Sequence, residues 1–206
     1  MTDPIPKSLR IDGRRLRSQR TKQLIIEAYL ELLRENPQAP TATQVAERAG
    51  YSVRSVFERF SDLLELSLAA ADYAFAQGLA HAVARNMGAD RQTRIRSQVE
   101  TRAQTCENWL PLWRALLQNQ HEAGELRVRI ERMRDAVMQR LELMYEPELS
   151  ALPDLERKHV LIALEALTDF ESWGRMRERH GLSIEAARAV WIGAIDRMLP
   201  PAPSLP

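Results

Sequence analysis

A cluster of polar residues near position 55 has the chemistry needed to bind the edges of nucleic-acid bases. Arg54, Ser55, Glu58 and Arg59 have spacings that place them on one side of a helix. An arginine can bond guanine through two donors, and a glutamate can accept from the amino group of cytosine. The pattern therefore predicts one of two things: a helix that reads the DNA major groove, or the solvated face of an ordinary helical hairpin.

Two helices and a tight turn, spanning Thr41–Phe60, are predicted to hold this polar face in place. The first helix starts at a threonine cap, Thr41 or Thr43, and ends before Gly50, because glycine adopts left-handed backbone angles at little cost. Ser52 then caps the second helix. That helix is too short to be stable alone, so it must pack on neighbours through a predicted apolar face of Val53, Val56, Phe57 and Phe60.

The segment before these helices is strongly basic. Residues 1–22 contain seven Lys or Arg and two Asp, a net charge of +5, whereas the whole chain carries only +1. An amphipathic helix is predicted over 21–35, so the preceding residues form a basic arm. Such an arm favours phosphate binding and can enter a minor groove; a solubilising tail is the alternative. The candidate contacts of the arm are Arg14, Arg15, Arg17 and Arg20.

The run AGYSVRSVFERF, followed by SDLLEL, resembles the DNA-binding signature of the TetR family of transcriptional regulators. The matching residues are Ala49, Gly50, Tyr51, Ser52, Ser55, Val56, Phe57 and Phe60. The resemblance covers the first third of the chain; beyond it, only length and helical character are similar. It implies an all-α fold with a three-helix helix-turn-helix domain (residues 1–66), an effector-binding and dimerisation domain (67–199) and a disordered tail (200–206).

Three positions depart from the family pattern. Phe57 stands where the family commonly has a tyrosine that bonds a phosphate, and Leu63 stands where it commonly has lysine. Arg54 replaces a frequent glycine. We therefore expect phosphate binding to shift toward Arg54, Arg59 and the arm. Apart from the arm, the predicted DNA-binding residues are Thr43, Ser52, Val53, Arg54, Ser55, Phe57, Glu58 and Arg59.

Composition favours a helical protein of the cytoplasm. The chain of 206 residues is 45% hydrophobic and 28% charged, and it has one cysteine, so no internal disulfide framework is possible. It has no apolar run long enough for a membrane helix and no signal-peptide core. It also lacks metal-ligand spacing, a phosphate loop and a nucleophile motif, so we expect no cofactor, no metal and no enzymatic activity.

Helical periodicity continues to the end of the chain. Pro111 is expected to kink or divide the helix that contains it, and Pro147 and Pro153 bracket a loop. After Phe60, helices are predicted over about 62–86, 125–145, 154–179 and 183–198. One more helix is predicted to begin near residue 90.

The last two predicted helices carry more apolar surface than a terminal hairpin needs. Pairing with a second copy would form a four-helix bundle, whereas a plain core hairpin is the alternative. The resemblance favours the homodimer. The candidate interface residues are Leu164, Leu167, Trp173, Val190, Trp191, Ala194 and Met198.

The resemblance also implies a pocket for an unknown small-molecule effector among the middle helices. Aromatic and methionine side chains suit an apolar ligand, although a simple core is the alternative for each residue. The candidate lining residues are Cys106, Trp109, Trp113, Leu117, Met133, Val137, Leu141, Tyr145 and Phe170.

Three hypotheses about function follow. The first is a repressor that a small apolar effector releases from a near-palindromic operator in double-stranded DNA. The second is a DNA-binding dimer without an effector. The third is a helical interaction module, or an enzyme without recognisable catalytic motifs, whose hairpin is like a DNA reader by chance.

Overall fold

The computed structural model describes residues 13–36, 38–81, 86–119 and 124–201, which form helices and turns without a strand among them. The predicted all-α fold is therefore confirmed. The helices are α1 (Gly13–Glu35), α2 (Ala42–Ala49), α3 (Val53–Phe57), α4 (Leu63–His81), α5 (Arg91–Asn119), α6 (Gly124–Met144), α7 (Glu146–Leu149), α8 (Asp154–Leu167), α9 (Phe170–Gly174) and α10 (Ile184–Met198), with a π-helical turn at Arg175–Arg179. None of these described helices is long and apolar enough to span a membrane.

The chain divides into two compact units, the first ending at Tyr73 and the second starting at Ala74. This division lies within α4, as does residue 66, where the sequence analysis ends its first domain. In the first unit α2 packs against both α1 and α3. The buried apolar side chains that hold these helices together include Ile25, Ala28, Tyr29, Leu33, Val45, Ala46, Val56, Phe60 and Leu66.

A bidentate ion pair fixes α2 against α1. The Nη1 and Nη2 atoms of Arg48 donate to the two carboxylate oxygens of Glu35 at 2.8 and 2.6 Å, and Arg48 Nη1 lies 3.5 Å from Glu31. Two parallel bonds restrict the orientation of the guanidinium more than a single contact would. Arg48 therefore holds α2 in position. From its residue type alone, Arg48 could equally have been a DNA contact.

In the second unit, α5 packs against α6, α9 and α10, and α8 packs against α6 and α10. Arg91 at the start of α5 closes the end of α10: it donates to Asp196 Oδ1 at 2.9 Å and to the backbone oxygens of Leu199 and Pro200. These carbonyls lie at a helix end where no intrahelical donor remains, so an arginine satisfies them.

The structure excludes one of the two outcomes predicted for Pro111, the division of its helix. Pro111 lies inside α5, which continues through it from Arg91 to Asn119. Proline in a helix interior costs ~3 kcal/mol, and burial of Leu110, Leu112 and Trp113 on either side offsets that cost. The helix predicted to end near residue 86 is described as far as His81, residues 82–85 lie outside the described part of the chain, and Asn86 has a left-handed φ of 64°.

The helix predicted over 154–179 is divided instead at Thr168–Asp169. The Thr168 hydroxyl donates to the Leu164 carbonyl at 2.8 Å, and Asp169 accepts from the backbone N–H of Ser172 as the cap of α9. Arg102 Nε donates to the Thr168 carbonyl at 2.7 Å. The break is thus stabilised by a tertiary contact that periodicity does not reveal.

Candidate nucleic-acid interface

The start of α2 is fixed by a reciprocal cap at Thr41. Its hydroxyl accepts from the Gln44 N–H at 3.3 Å, while the Gln44 side chain accepts from the Thr41 N–H at 2.9 Å. Two donors that a helix start leaves unpaired are thereby satisfied. Of the two predicted caps, Thr41 is the one used. Thr43 lies exposed one residue inside the helix.

The turn between α2 and α3 is closed by backbone bonds around Gly50. Gly50 has φ +73°, its N–H donates to the Glu47 carbonyl at 3.2 Å, and the Tyr51 N–H donates to the Ala46 carbonyl at 2.9 Å. This pair of bonds is the Schellman arrangement, which uses a left-handed residue at that position. The predicted helix end at Gly50 is confirmed.

Ser52 caps α3, as predicted. Its hydroxyl accepts from the Ser55 N–H at 3.1 Å, and the two serine hydroxyls lie 3.0 Å apart. Tyr51, just before it, receives a bond from the Thr21 hydroxyl at 3.4 Å, which joins the turn to α1. This contact is not predictable from the sequence, because nothing local to Thr21 or Tyr51 indicates that they meet.

The predicted apolar face of α3 is only half buried, which corrects the sequence analysis. Val56 and Phe60 are buried, but Val53 is 36% and Phe57 45% exposed. A helix of five residues presents little more than one row to its neighbours, and Val56 with Phe60 already fills that row. Val53 and Phe57, four residues apart, therefore form a separate exposed apolar row.

A row of charged residues lies beside the apolar row. Arg54 is 86% exposed, and its Nε lies 3.0 Å from Glu58 Oε1. This i,i+4 pair at the surface contributes only ~0.3–0.5 kcal/mol. Both side chains therefore remain available to a ligand at little cost to the fold.

Arg59 has a different environment from the one expected of a phosphate contact. Its side chain is only 22% exposed, and its Nη1 donates to the Ser55 carbonyl at 2.9 Å and lies 3.7 Å from Glu58. An arginine bound to a carbonyl in the last turn stabilises a helix end. Arg59 thus supports α3 more than it faces outward, and Arg54 is the freer guanidinium of the two.

The arm is helical where the structure describes it. α1 begins at Gly13, eight residues before the predicted start at Thr21, and Arg15, Arg17 and Arg20 are exposed side chains of that helix. A helix ~10–12 Å wide does not fit a minor groove of ~6 Å, so these three arginines suit phosphates instead. The side chain of Arg14, and all of Lys7 and Arg10, lie outside the described part of the chain.

Leu63, the position of the missing family lysine, begins α4 in an acidic setting. Asp62 accepts from the Glu65 N–H at 2.8 Å, and the Glu65 carboxylate accepts from the Ser61 N–H at 2.5 Å. That bond lowers the pKa of Glu65. Two carboxylates beside Leu63 disfavour a phosphate here, although Lys22 is close enough to Glu65 to contribute to the lowering of its pKa.

The candidate effector residues lie in the second unit and are closely packed. Cys106, Leu141 and Tyr145 are completely buried, and the rings of Trp113 and Phe170 stack with centroids 5.0 Å apart. Burial raises the pKa of Cys106 to about 11 and also raises that of Tyr145. The remaining candidates are partly exposed: Trp109, Leu117, Met133 and Val137.

Three candidate interface residues belong to the core of the single chain. Leu164, Trp173 and Trp191 are buried; the two indole rings lie 4.8 Å apart, and Trp173 Nε1 donates to Glu107 at 2.7 Å. This corrects their assignment to a partner-facing surface. The exposed apolar side chains of α8 and α10 are instead Leu155, Ile162 and Val190, with Leu167, Ala194 and Met198 partly exposed.

The similarity to known proteins lies in the fold. No family model matches the chain, and no curated protein matches it significantly. A Rhodococcus sp. protein assigned to the TetR family of transcriptional regulators has 20% identity and a TM-score of 0.70, covering 87% of this chain and 98% of its own.

Two further solved structures share this fold. A TetR transcriptional regulator from Rhodococcus sp. RHA1 has 21% identity and a TM-score of 0.53, covering 88% of this chain and 97% of its own. The multidrug binding protein EbrR, solved with imidazole, has 19% identity and a TM-score of 0.59, covering 98% and 100%. The chain therefore has the TetR-type fold that its helix-turn-helix motif predicts.

Proposed function

We propose that the chain is a DNA-binding transcriptional regulator of the TetR type. The proposal rests on how α3 is held in place and on the side chains that it exposes. Gly50 ends α2 and Ser52 caps α3, whose outer side presents a highly exposed Arg54 beside Glu58. Arginine and glutamate are base-reading side chains, and a capped second helix is the reading element of helix-turn-helix proteins. The shared fold supports this assignment.

The exposed arginines of α1 supply attraction for phosphates. Arg15, Arg17 and Arg20 lie in the first two turns of that helix, in the part of the chain with the highest positive charge. Each phosphate neutralised releases counterions, so binding should weaken linearly as the logarithm of salt concentration rises.

The protein is proposed to act as a homodimer through α8 and α10. Leu155 and Ile162 on α8 and Val190 on α10 are exposed apolar side chains, and the two helices pack against each other within one chain. Pairing two such hairpins would form a four-helix bundle. A two-fold dimer would read half-sites about one DNA turn apart, ~34–36 Å, in a near-palindromic operator.

Control by a small apolar effector in the second unit is the finer part of the proposal. EbrR, which shares the fold, is a multidrug binding protein solved with imidazole. An effector would release the DNA only if it bound the DNA-free conformation more tightly. The stacked Trp113–Phe170 pair and the buried Cys106 favour the second candidate, a DNA-binding dimer without an effector.

The test is a DNA titration of the Arg54→Ala variant against a duplex selected by the wild-type protein and against random DNA. Loss of a base contact should weaken specific binding by ~1–3 kcal/mol and reduce discrimination between bases, while the unfolding transition stays the same. The matched control is Arg127→Ala, which removes an exposed arginine of α6. Unchanged discrimination in Arg54→Ala would show that Arg54 does not read DNA.

A further inference from the structure

The exposed apolar row of α3 has no evident role in the fold. Val56 and Phe60 already fill the buried side of this segment, whereas Phe57 leaves nearly half of its side chain in solvent. Single exposed apolar residues are common on protein surfaces. Val53 and Phe57, however, lie one helical turn apart and directly beside Arg54 and Glu58, on the side of α3 proposed to meet DNA.

The exposed apolar row of α3 has no group that can form a hydrogen bond, which limits what it can bind. Phe57 has no hydroxyl and so cannot bond a phosphate oxygen or a base edge, and the same holds for Val53. Among the groups that the major groove presents, the thymine C5-methyl is the apolar one, and apolar side chains contact it. Methyl-bearing base pairs are therefore the partners that match the row.

We propose that Val53 and Phe57 select thymine in each half-site by packing against its methyl group, an inference that rests on the proposed DNA-binding function. Four residues of helix span ~6 Å, and base pairs are stacked ~3.4 Å apart. The two side chains therefore reach pairs at most about two steps apart, so the selected thymines fall within three consecutive base pairs.

Uracil is the probe, because it differs from thymine only by that methyl group. Duplexes selected from a random pool by the wild-type protein are remade with each thymine replaced singly by deoxyuridine. Because each replacement removes one buried methyl group from the DNA, we expect the wild-type protein to bind about fourfold more weakly when a contacted thymine is replaced. Phe57→Ala is expected to bind the thymine and uracil duplexes equally at one of these positions, and Val53→Ala at the other.

The controls separate this inference from the function on which it rests. Val128→Ala truncates another exposed apolar side chain, 56% exposed on α6, and should keep the full uracil effect. Phe57→Leu should keep part of it, and thermal unfolding of Phe57→Ala should match the wild type. If the wild type selects a site but binds its uracil versions equally well, the methyl contact is wrong and the regulator function stands. Failure to select any site overturns both.

Discussion

Among single residues, the charges on the side of α3 that is proposed to face DNA would both attract and repel phosphates. Arg54 pairs with Glu58 at 3.0 Å, and Arg59 lies 3.7 Å from the same carboxylate. The one negative charge therefore offsets part of the positive charge of these two arginines and leaves a net charge of +1. We expect Glu58 to weaken binding to all DNA while favouring sites where its oxygen can accept from cytosine.

The Glu58→Gln variant tests this balance. Removing a charge that interacts by ~1 kcal/mol with a neighbouring charge in water should raise affinity for random DNA by about fivefold. The charge effect applies to every sequence alike, so the ratio of specific to random affinity should fall only because the carboxylate's bond to cytosine is lost. Binding at several salt concentrations, followed by fluorescence anisotropy, would measure both effects.

Glu131→Gln is the matched control for that variant. Glu131 also pairs with an arginine, Arg134, at 3.1 Å, but on α6 in the second unit. It should leave DNA affinity unchanged. Random-DNA binding that stays constant or falls in Glu58→Gln would mean that Glu58 does not face the phosphates.

At the level of helices, local chemistry was enough to predict where α2 begins and ends and where α3 begins, but α3 ends at Phe57 rather than at the predicted Phe60. Gly50 and Ser52 act through bonds to residues no more than four positions away, so their roles can be read directly from the sequence. The continuation of α5 through Pro111 and the break at Thr168 depend on contacts with distant helices. The same holds for α3, where the helical period groups Val53 and Phe57 with Val56, but only the packing shows that they are exposed.

Two glycines should respond oppositely to alanine. Gly50 has φ +73°, where a Cβ costs ~1–2 kcal/mol, so Gly50→Ala should destabilise the protein. Gly78 lies inside α4, and apart from its own helix backbone none of the described atoms lies within 4 Å of an added Cβ, so Gly78→Ala should stabilise the protein by ~0.5–1 kcal/mol. Urea unfolding of both variants measures the shifts. Equal shifts of the same sign would contradict the backbone conformation at Gly50.

At the scale of the whole molecule, the proposed regulator needs two copies of α3 at a fixed separation. The surface available for pairing differs from the one predicted, because Leu164, Trp173 and Trp191 serve the core of each chain. A sequence pattern identifies an apolar helix face, but it does not tell how much of that face the same chain covers. Ile162 and Val190, each 48% exposed, remain for a partner.

Val190→Glu is expected to convert the dimer into a monomer. Burying an unpaired carboxylate is costly, and the two-fold symmetry would bury one from each chain. Sedimentation velocity would show the change in mass, and binding to a full operator should weaken with it. Val128→Glu adds the same charge at an exposed site on α6 and should remain dimeric. A dimeric Val190→Glu protein would place the interface elsewhere.

Sequencing the genomic fragments that the protein captures would show whether α3 reads a specific DNA sequence. We expect one enriched, near-palindromic site with half-site centres about one turn, ~10 base pairs, apart and an affinity that falls steeply with salt. Captured fragments without a common sequence, or binding that does not respond to salt, would contradict this expectation.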